Sequence, residues 1–342
     1  MANMDIFRKD AFSQTSLTSF VNKKPHIPSL IRDMGLFAPK PVRTTTIWVE
    51  LKNGKISLIP TSSRGEPVFQ NEKQKRDAVP LQCLRLAEGD TITADELQNI
   101  RAEGEEAELK EVQMEVNDRL EKILGDVDLT IENLMLGAIQ GILVDADGSS
   151  VIYNLFNQFN ITQPTEIDFD LDNASPASGA LKKKCNEVVR GITRAGGNAI
   201  LPSTTIEALC GDDFFDDLVT HPEVKGAYDR WVDSQSFSND VMPFKPFRWG
   251  GINWINYRGT DDASTVSIGT DKVKFFPKGA RGIFEIAYAP AEFMPYVNTR
   301  GQERYSMTIP DLKRNAFVEV EVYSYPLPYC TRPEVLFSGK RT

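Results

Sequence analysis

The chain has 342 residues, a net charge of −9, 41 % hydrophobic and 25 % charged side chains. That is the composition of a folded chain with a substantial core, long enough for about two domains or one elaborated domain. No apolar run approaches the ~18 residues of a membrane span, and the acidic balance argues against a dedicated nucleic-acid binder, whose footprint is a basic patch.

Residues 1–45 open with "MANMDIFRKDAFSQTSLTSF", which has no apolar core segment and does not read as a signal peptide. They continue as "KKPHIPSLIRDMGLFAPKP", broken by Pro25, Pro28, Pro39 and Pro41. Each proline removes an N–H donor and biases its predecessor to extended backbone. Ile27, Leu30, Ile31, Met34, Leu36 and Phe37 make the stretch too apolar for a disordered tail. It reads as an arm that packs on something, with one short helix at 28–35.

Residues 44–86 read as a β-ribbon. Ile47, Val49 and Leu51 alternate, Asn53-Gly54 is a strong type I′ hairpin signal, and Ile56 and Leu58 follow. A further strand-like stretch runs from Val79 to Leu86. A ribbon of this kind has almost no core of its own, so the sequence predicts a partner beneath it.

A long helix is expected from Thr93, with Glu96 completing a capping box. Leu109, Val112, Val116, Leu120 and Ile123 form one apolar stripe, while Glu106–Lys110, Glu115–Arg119 and Asp118–Lys122 are i,i+4 pairs on the wet side. Gly104 is a candidate interruption, Gly125 the expected stop, and a second helix is expected over 128–142. One apolar stripe needs one apolar partner, so the long helix should lie across a sheet.

Beyond Gly148, "SSVIYNLFNQF" is strand-like and "TEIDFDLD" alternates Ile167, Phe169 and Leu171 with three aspartates. "SGALKKKCNEVVRGITRAGG" predicts a helix of about fifteen residues stopped at Gly196-Gly197. "NAILPS" reads as a short buried strand and Thr204 or Thr205 as a helix start. Helix continues through "DDFFDDLVTHPEVKGAYDRWVD" with a break at Pro222. From 243 on, "FRWGGINWINYRG", "KVKFFPKG", "GIFEIAYAP" and "NAFVEVEVYSYPLP" are strands. The irregular alternation makes the class α+β.

Motifs of catalysis are missing. His26 and His221 do not cluster with other ligands. Cys83, Cys185, Cys210 and Cys330 form no CxxC pair and are expected to be reduced and structural. "DADGSS" and "DFDLDN" begin like calcium loops, but twelve-residue counting from Asp145 and Asp168 ends on Phe156 and Gly179, not a carboxylate. They read as a turn and as the wet face of a strand. "RAGGNAI" and "RWGGIN" are neither GxGxxG nor a P-loop; the first ends a helix and the second bends a strand. Lys182, Lys183 and Lys184 read as a solvated helix face rather than a phosphate site. No catalytic residue, cofactor or metal is called.

Charge is unevenly spread. Residues 1–45 carry seven bases and three acids, +4; residues 88–132 carry fifteen acids and four bases, −11. These are candidate complementary surfaces.

The order of parts resembles the phage major capsid protein E family, that of the bacteriophage lambda major head protein. The sharpest parts are "IPTSSRGEP" with the acidic helix after it, "NTRGQERYSM", and "SYPLPYCTRPEVLF". The resemblance implies a Hong Kong 97-type capsid fold: an N-terminal arm (1–43), an extended E-loop (44–90), a P-domain with the spine helix (91–175), an A-domain near the symmetry axes (176–290), and C-terminal strands returning to the P-domain (291–342). It implies hexamers and pentamers in an icosahedral head around double-stranded DNA. Scaffold, portal and decoration proteins are the implied partners, packaged DNA is held only non-specifically, and the chain belongs to a virion assembled in the bacterial cytoplasm. Arm and ribbon would then lie on a neighbouring subunit, with assembly contacts at Lys23, Lys24, Trp48, Asn53, Gly54, Lys73, Lys75 and Arg76. Two other readings fit the residues: a hydrolase with dispersed carboxylates, its arm and ribbon mediating a dimer, and a phage tail or head-completion ring protein.

Overall fold

The computed structural model describes residues 30–52, 76–97, 105–173, 175–236, 245–257, 260, 266–314 and 316–342. The arm holds a short helix α1 (Leu30–Asp33) inside the expected span, then β1 (Ala38–Pro41). The ribbon is β2 (Thr46–Lys52) antiparallel to β3 (Arg76–Gln82), followed by β4 (Leu86–Thr93) and a one-turn helix α2 (Ala94–Leu97). The turn expected at Asn53-Gly54 lies outside the described residues. The Thr93 N–H donates to Glu96, which is the backbone half of the expected capping box.

Helix α3 (Glu105–Gln140) corrects the expected stop at Gly125: the two predicted helices are one of 36 residues, about 54 Å long at 1.5 Å per residue. A mid-helix glycine costs about 1 kcal/mol relative to alanine. Here the apolar stripe runs on past it through Val127, Ile131, Met135 and Ile139, all buried, and their burial outweighs that cost. The helix ends instead at Gly141, which takes the left-handed conformation at φ +81°. As expected, α3 lies across sheet, packing on β4 and the C-terminal strands.

Strands β5 (Ile142–Val144) and β6 (Val151–Asn154) form a hairpin over the "DADGSS" turn. Asp147 accepts the N–H groups of Ser149 and Ser150 and the Ser150 hydroxyl, which holds its carboxyl well below the usual range. The strand-like reading of 149–159 needs correction in its second half: Asn154 caps a helical turn α4 (Leu155–Gln158). β7 (Ile167–Asp168) is shorter than expected because Asp170 turns at φ +52°, yet Phe169 and Leu171 stay buried and the aspartates exposed.

Helix α5 (Ala180–Gly196) is followed by a 3-10 turn, Gly197–Ala199, where a buried strand was expected. The strand comes later, as β8 (Thr205–Cys210), where a helix start was expected. The β-branched Thr204-Thr205-Ile206 run suits a strand paired on both sides. Helices α6 (Asp212–Thr220) and α7 (Pro222–Ser236) break at Pro222 as predicted. β9 (Phe247–Trp249) and β10 (Ile252–Asn256) are a hairpin rather than one bent strand. Gly250 and Gly251 both have positive φ, as a primed turn requires. Then come β11 (Lys272–Lys278), β12 (Phe284–Tyr288), β13 (Tyr305–Pro310), β14 (Phe317–Ser324), β15 (Pro326–Cys330) and β16 (Phe337–Lys340). β13 and β16 were not read from the sequence.

The larger sheets have the orders β1-β12-β15, β13-β14-β4 and β7-β16-β11-β8-β10-β9. Trp254 and Phe275 of the six-stranded sheet pack ring on ring with Phe169, just past β7, and with Phe214 of α6. One buried cluster runs continuously from the arm through the spine helix to this sheet. All four cysteines are free; burial pushes Cys83 up to about 11 and Cys185 and Cys330 up to about 12, so they are inert thiols.

His221, in the α6–α7 break, makes a pH-dependent joint. Its buried Nδ1 accepts the Glu223 N–H at 3.2 Å, and the Glu223 carboxylate accepts the N–H groups of Leu181 and Lys182 at the start of α5. Burial lowers the imidazole pKa, against the opposing pull of Glu223; Lys184 lowers it further. The unfolded chain therefore binds the proton more readily, and the His221 contribution is lost as pH falls below the ordinary value of about 6.5. Melting temperatures taken from pH 7.5 down to 5.5 should decline, and His221→Asn, which keeps an acceptor but cannot titrate, should flatten that decline.

Candidate assembly site

Two features of the fold stand out: a buried charged node on the spine helix and a ribbon with two unlike faces. Asp128 and Glu132 are successive turns of α3, each 5 % exposed. Arg304 reaches Asp128 at 2.5 Å with 6 % of its own side chain exposed, and Arg32 of α1 reaches the same carboxylate at 2.9 Å. Arg32 also pairs with Glu303. The Ile31 N–H donates to Glu132 at 2.9 Å, and the Tyr257 hydroxyl reaches the same oxygen at 3.4 Å. Burial, reinforced by Glu132, holds that phenol far above its usual range, so it stays a donor. The node clamps the arm, the spine helix, the end of β10 and the "NTRGQERYSM" loop together. Beside it the Gly301 N–H donates to Val42 and the Val42 N–H to Tyr288, which fixes where the arm leaves β1.

This corrects one expectation. Residues 30–42 of the arm pack on their own chain: Ile31 is fully buried and β1 pairs in parallel with β12. Arg32 spends its charge on this chain's own spine helix. On the acidic helix the expected Glu115–Arg119 pair forms at 3.0 Å, and Arg119 also meets Asp90 at 2.8 Å and Glu96 at 3.4 Å. These partners raise the Arg119 pKa and tie α3 to β4 and α2.

The ribbon's inner face is also seated on its own chain, against the expectation of no local core: Ile47, Val49 and Leu81 are buried in the main cluster. Its outer face carries an uncovered apolar patch. Trp48 is 66 % exposed and stands opposite exposed Pro80, with exposed Ala78 two residues on. The base of the ribbon is braced. Tyr153 bonds both the N–H and the carbonyl of Gln82, while Arg85 pairs with Glu292 at 2.9 Å and lies 5.2 Å over the Tyr323 ring. A ribbon so held projects Trp48 at a fixed angle.

Of the assembly residues proposed from sequence, Trp48 stands on that outer face and Arg76 opens β3 opposite Lys52. Lys23, Lys24, Asn53, Gly54, Lys73 and Lys75 lie outside the described residues. The node was missed. Its one signal was an i,i+4 acid pair, Asp128–Glu132, on the apolar side of a helix, a place where a buried cation is required. Among the described residues no group of three or more His, Cys, Asp or Glu is placed to hold a metal ion.

The architecture is that of a phage capsid subunit of the Hong Kong 97 type. Solved capsid chains share it: that of an empty GTA particle (TM-score 0.52, 10 % identity, 98 % of this chain and 99 % of that one) and that of cyanophage Pam1 (TM-score 0.51, 12 % identity, 93 % and 94 %). The model of the family described as phage major capsid protein E matches residues 13–341, and the chain belongs to that family. It is 28 % identical to the major capsid protein of Salmonella phage Felix O1, over 96 % of each chain. It is 22 % identical to the major capsid protein of Pseudomonas phage KPP10, over 96 % of this chain and 97 % of that one. The chain is thus a structural component of a virion and not an enzyme, and neither the hydrolase nor the ring-protein reading is favoured.

Proposed function

We propose that the chain builds the head shell of a tailed phage or prophage as hexamers and pentamers around double-stranded DNA, and that the outer face of the ribbon is a contact between copies. The observation that carries the second part is Trp48, a large aromatic two-thirds exposed on a ribbon braced at its base. Aromatic side chains are the usual anchors of interfaces, and a braced one loses little entropy on docking. Assembly takes place in the bacterial cytoplasm, with separate scaffold, portal and decoration proteins as partners. The arm (1–43), ribbon (44–90) and remaining segments act as the domains set out above. Lys23, Lys24, Asn53, Gly54, Lys73, Lys75 and Arg76 extend the contact.

Trp48→Asp tests it. A substitution at so exposed a site changes stability within about 0.5 kcal/mol, so the subunit should melt like the wild type. Electron microscopy should then show shells or capsomers from the wild type and dispersed subunits from the variant. Normal shells from Trp48→Asp would place the intersubunit contact elsewhere.

A further inference from the structure

The six-stranded sheet carries opposite charge at its two ends. At the N-terminal end of β8, Thr205 stands opposite Lys278, the Arg281 N–H donates to the Ala199 carbonyl, and Arg194 sits in the last turn of α5. At the C-terminal end, β8 runs through Gly211 into α6, whose first two turns carry Asp212, Asp213 and Asp216. The two ends are about 20 Å apart, six residues at 3.3 Å each. Lys278 is half-buried and the other five are exposed. None of the six makes an ion pair among the described residues. Two cations at the acidic end are already engaged, Lys272 with Glu166 and Arg341 with Asp217.

Three unpaired cations and three unpaired anions at opposite ends of one rigid sheet form a self-complementary couple. We propose that the basic end of one copy, Arg194, Lys278 and Arg281, docks on the acidic end of the next, Asp212, Asp213 and Asp216. The contact is heterologous and head-to-tail, the kind that generates a ring when its rotation closes. A different partner would need only one of the two ends; a second copy of the chain uses both. Placed in a rim of this kind, the charges select register and speed encounter more than they add affinity, and parallel stacking that brought like ends together would be repelled. The inference rests on the capsid reading.

The test reverses the ends separately and together. One variant carries Arg194→Glu, Lys278→Glu and Arg281→Glu, a second Asp212→Lys, Asp213→Lys and Asp216→Lys, and a third all six. Assembly is followed by light scattering and electron microscopy at low and high salt, with circular dichroism confirming that each subunit is folded. Should the second variant not fold, asparagine replaces lysine at its three positions. At low salt each single-ended variant should assemble at least about tenfold more slowly than the wild type, and mixing the two should restore six-membered rings but not five-membered ones, because subunits that must alternate cannot close an odd ring. The six-fold swap should recover to within about threefold of the wild type, and high salt should narrow every difference. Single-ended variants that assemble at the wild-type rate, or a swap no faster than they are, overturn the inference and leave the capsid reading standing. A wild-type chain that forms neither rings nor shells overturns the reading beneath it.

Discussion

Replacing Arg304 by alanine lowers the unfolding free energy by about 3–5 kcal/mol, the range for removing one partner of a buried ion pair. The cost comes less from the lost attraction than from the charge left behind. Asp128 is 5 % exposed, so water cannot take over from the guanidinium. Arg32 remains within reach at 2.9 Å, but it is shared with Glu303 and belongs to a helix of four residues that the node itself holds in place. Loss of Arg304 should therefore loosen the arm as well as destabilise the body. Urea unfolding of dissociated subunits measures the first effect, and hydrogen exchange at the Ile31 amide, bonded to Glu132, measures the second. Adding Asp128→Asn should return part of the stability, because the uncompensated charge is then gone. A loss below about 1 kcal/mol in Arg304→Ala would mean that Arg32 alone neutralises Asp128.

Gly301→Ala is expected to be nearly as damaging, by about 3 kcal/mol, at the upper end of overpacking costs. A methyl group there would overlap the Tyr288 carbonyl, and the obstruction is backbone rather than a side chain that can swing away. Tyr288 is held on both sides, by Pro41 of β1 and Pro326 of β15. The loop must move instead, and in moving it gives up the Gly301 hydrogen bond to Val42 and displaces Arg304, three residues on. The control is Gly226→Ala. Gly226 lies exposed inside α7 with nothing within 4 Å of an added methyl, so the better helix former should stabilise the chain by up to about 1 kcal/mol. Thermal melts of the two variants should move in opposite directions. Equal shifts would mean that the loop around Gly301 yields without cost.

The sequence showed periodicity better than it showed endings. The stripe through Val116, Leu120 and Ile123 located the spine helix, but Gly125 was given the weight of a stop signal. A glycine ends a helix only where the chain beyond lacks a face to bury, and Val127 and Ile131 supply one. Thr204 or Thr205 reads as a helix start; the strand there is decided by pairing with β11 and β10, residues 46 and more positions away. Short strands such as Phe337–Lys340 exist only because a sheet is waiting for them. The ribbon's position was legible from alternation and its apolar character, whereas its seat on the same chain was not, because burial depends on what lies underneath. Trp48 could be named because it is a large aromatic out of phase with the apolar alternation of Ile47, Val49 and Leu51. Asp128 and Arg304 could not, since their pairing joins residues 176 positions apart. Order of elements along the chain, which no single motif carries, pointed to the family.

The spine helix is held at two points along its length, Asp128 and Arg119, and runs on from the second to its start at Glu105. That leaves 14 residues, about 21 Å of continuous helix. Turning it by ~10° at Arg119 sweeps the tip through ~4 Å, at ~1.5 Å of axis per residue. A closed surface with both flat and sharply bent regions asks the same molecule to meet its neighbours at different inclinations. An uninterrupted rod that carries Gly125 without breaking can deliver that difference at its tip while the side chains around its pivot keep one arrangement.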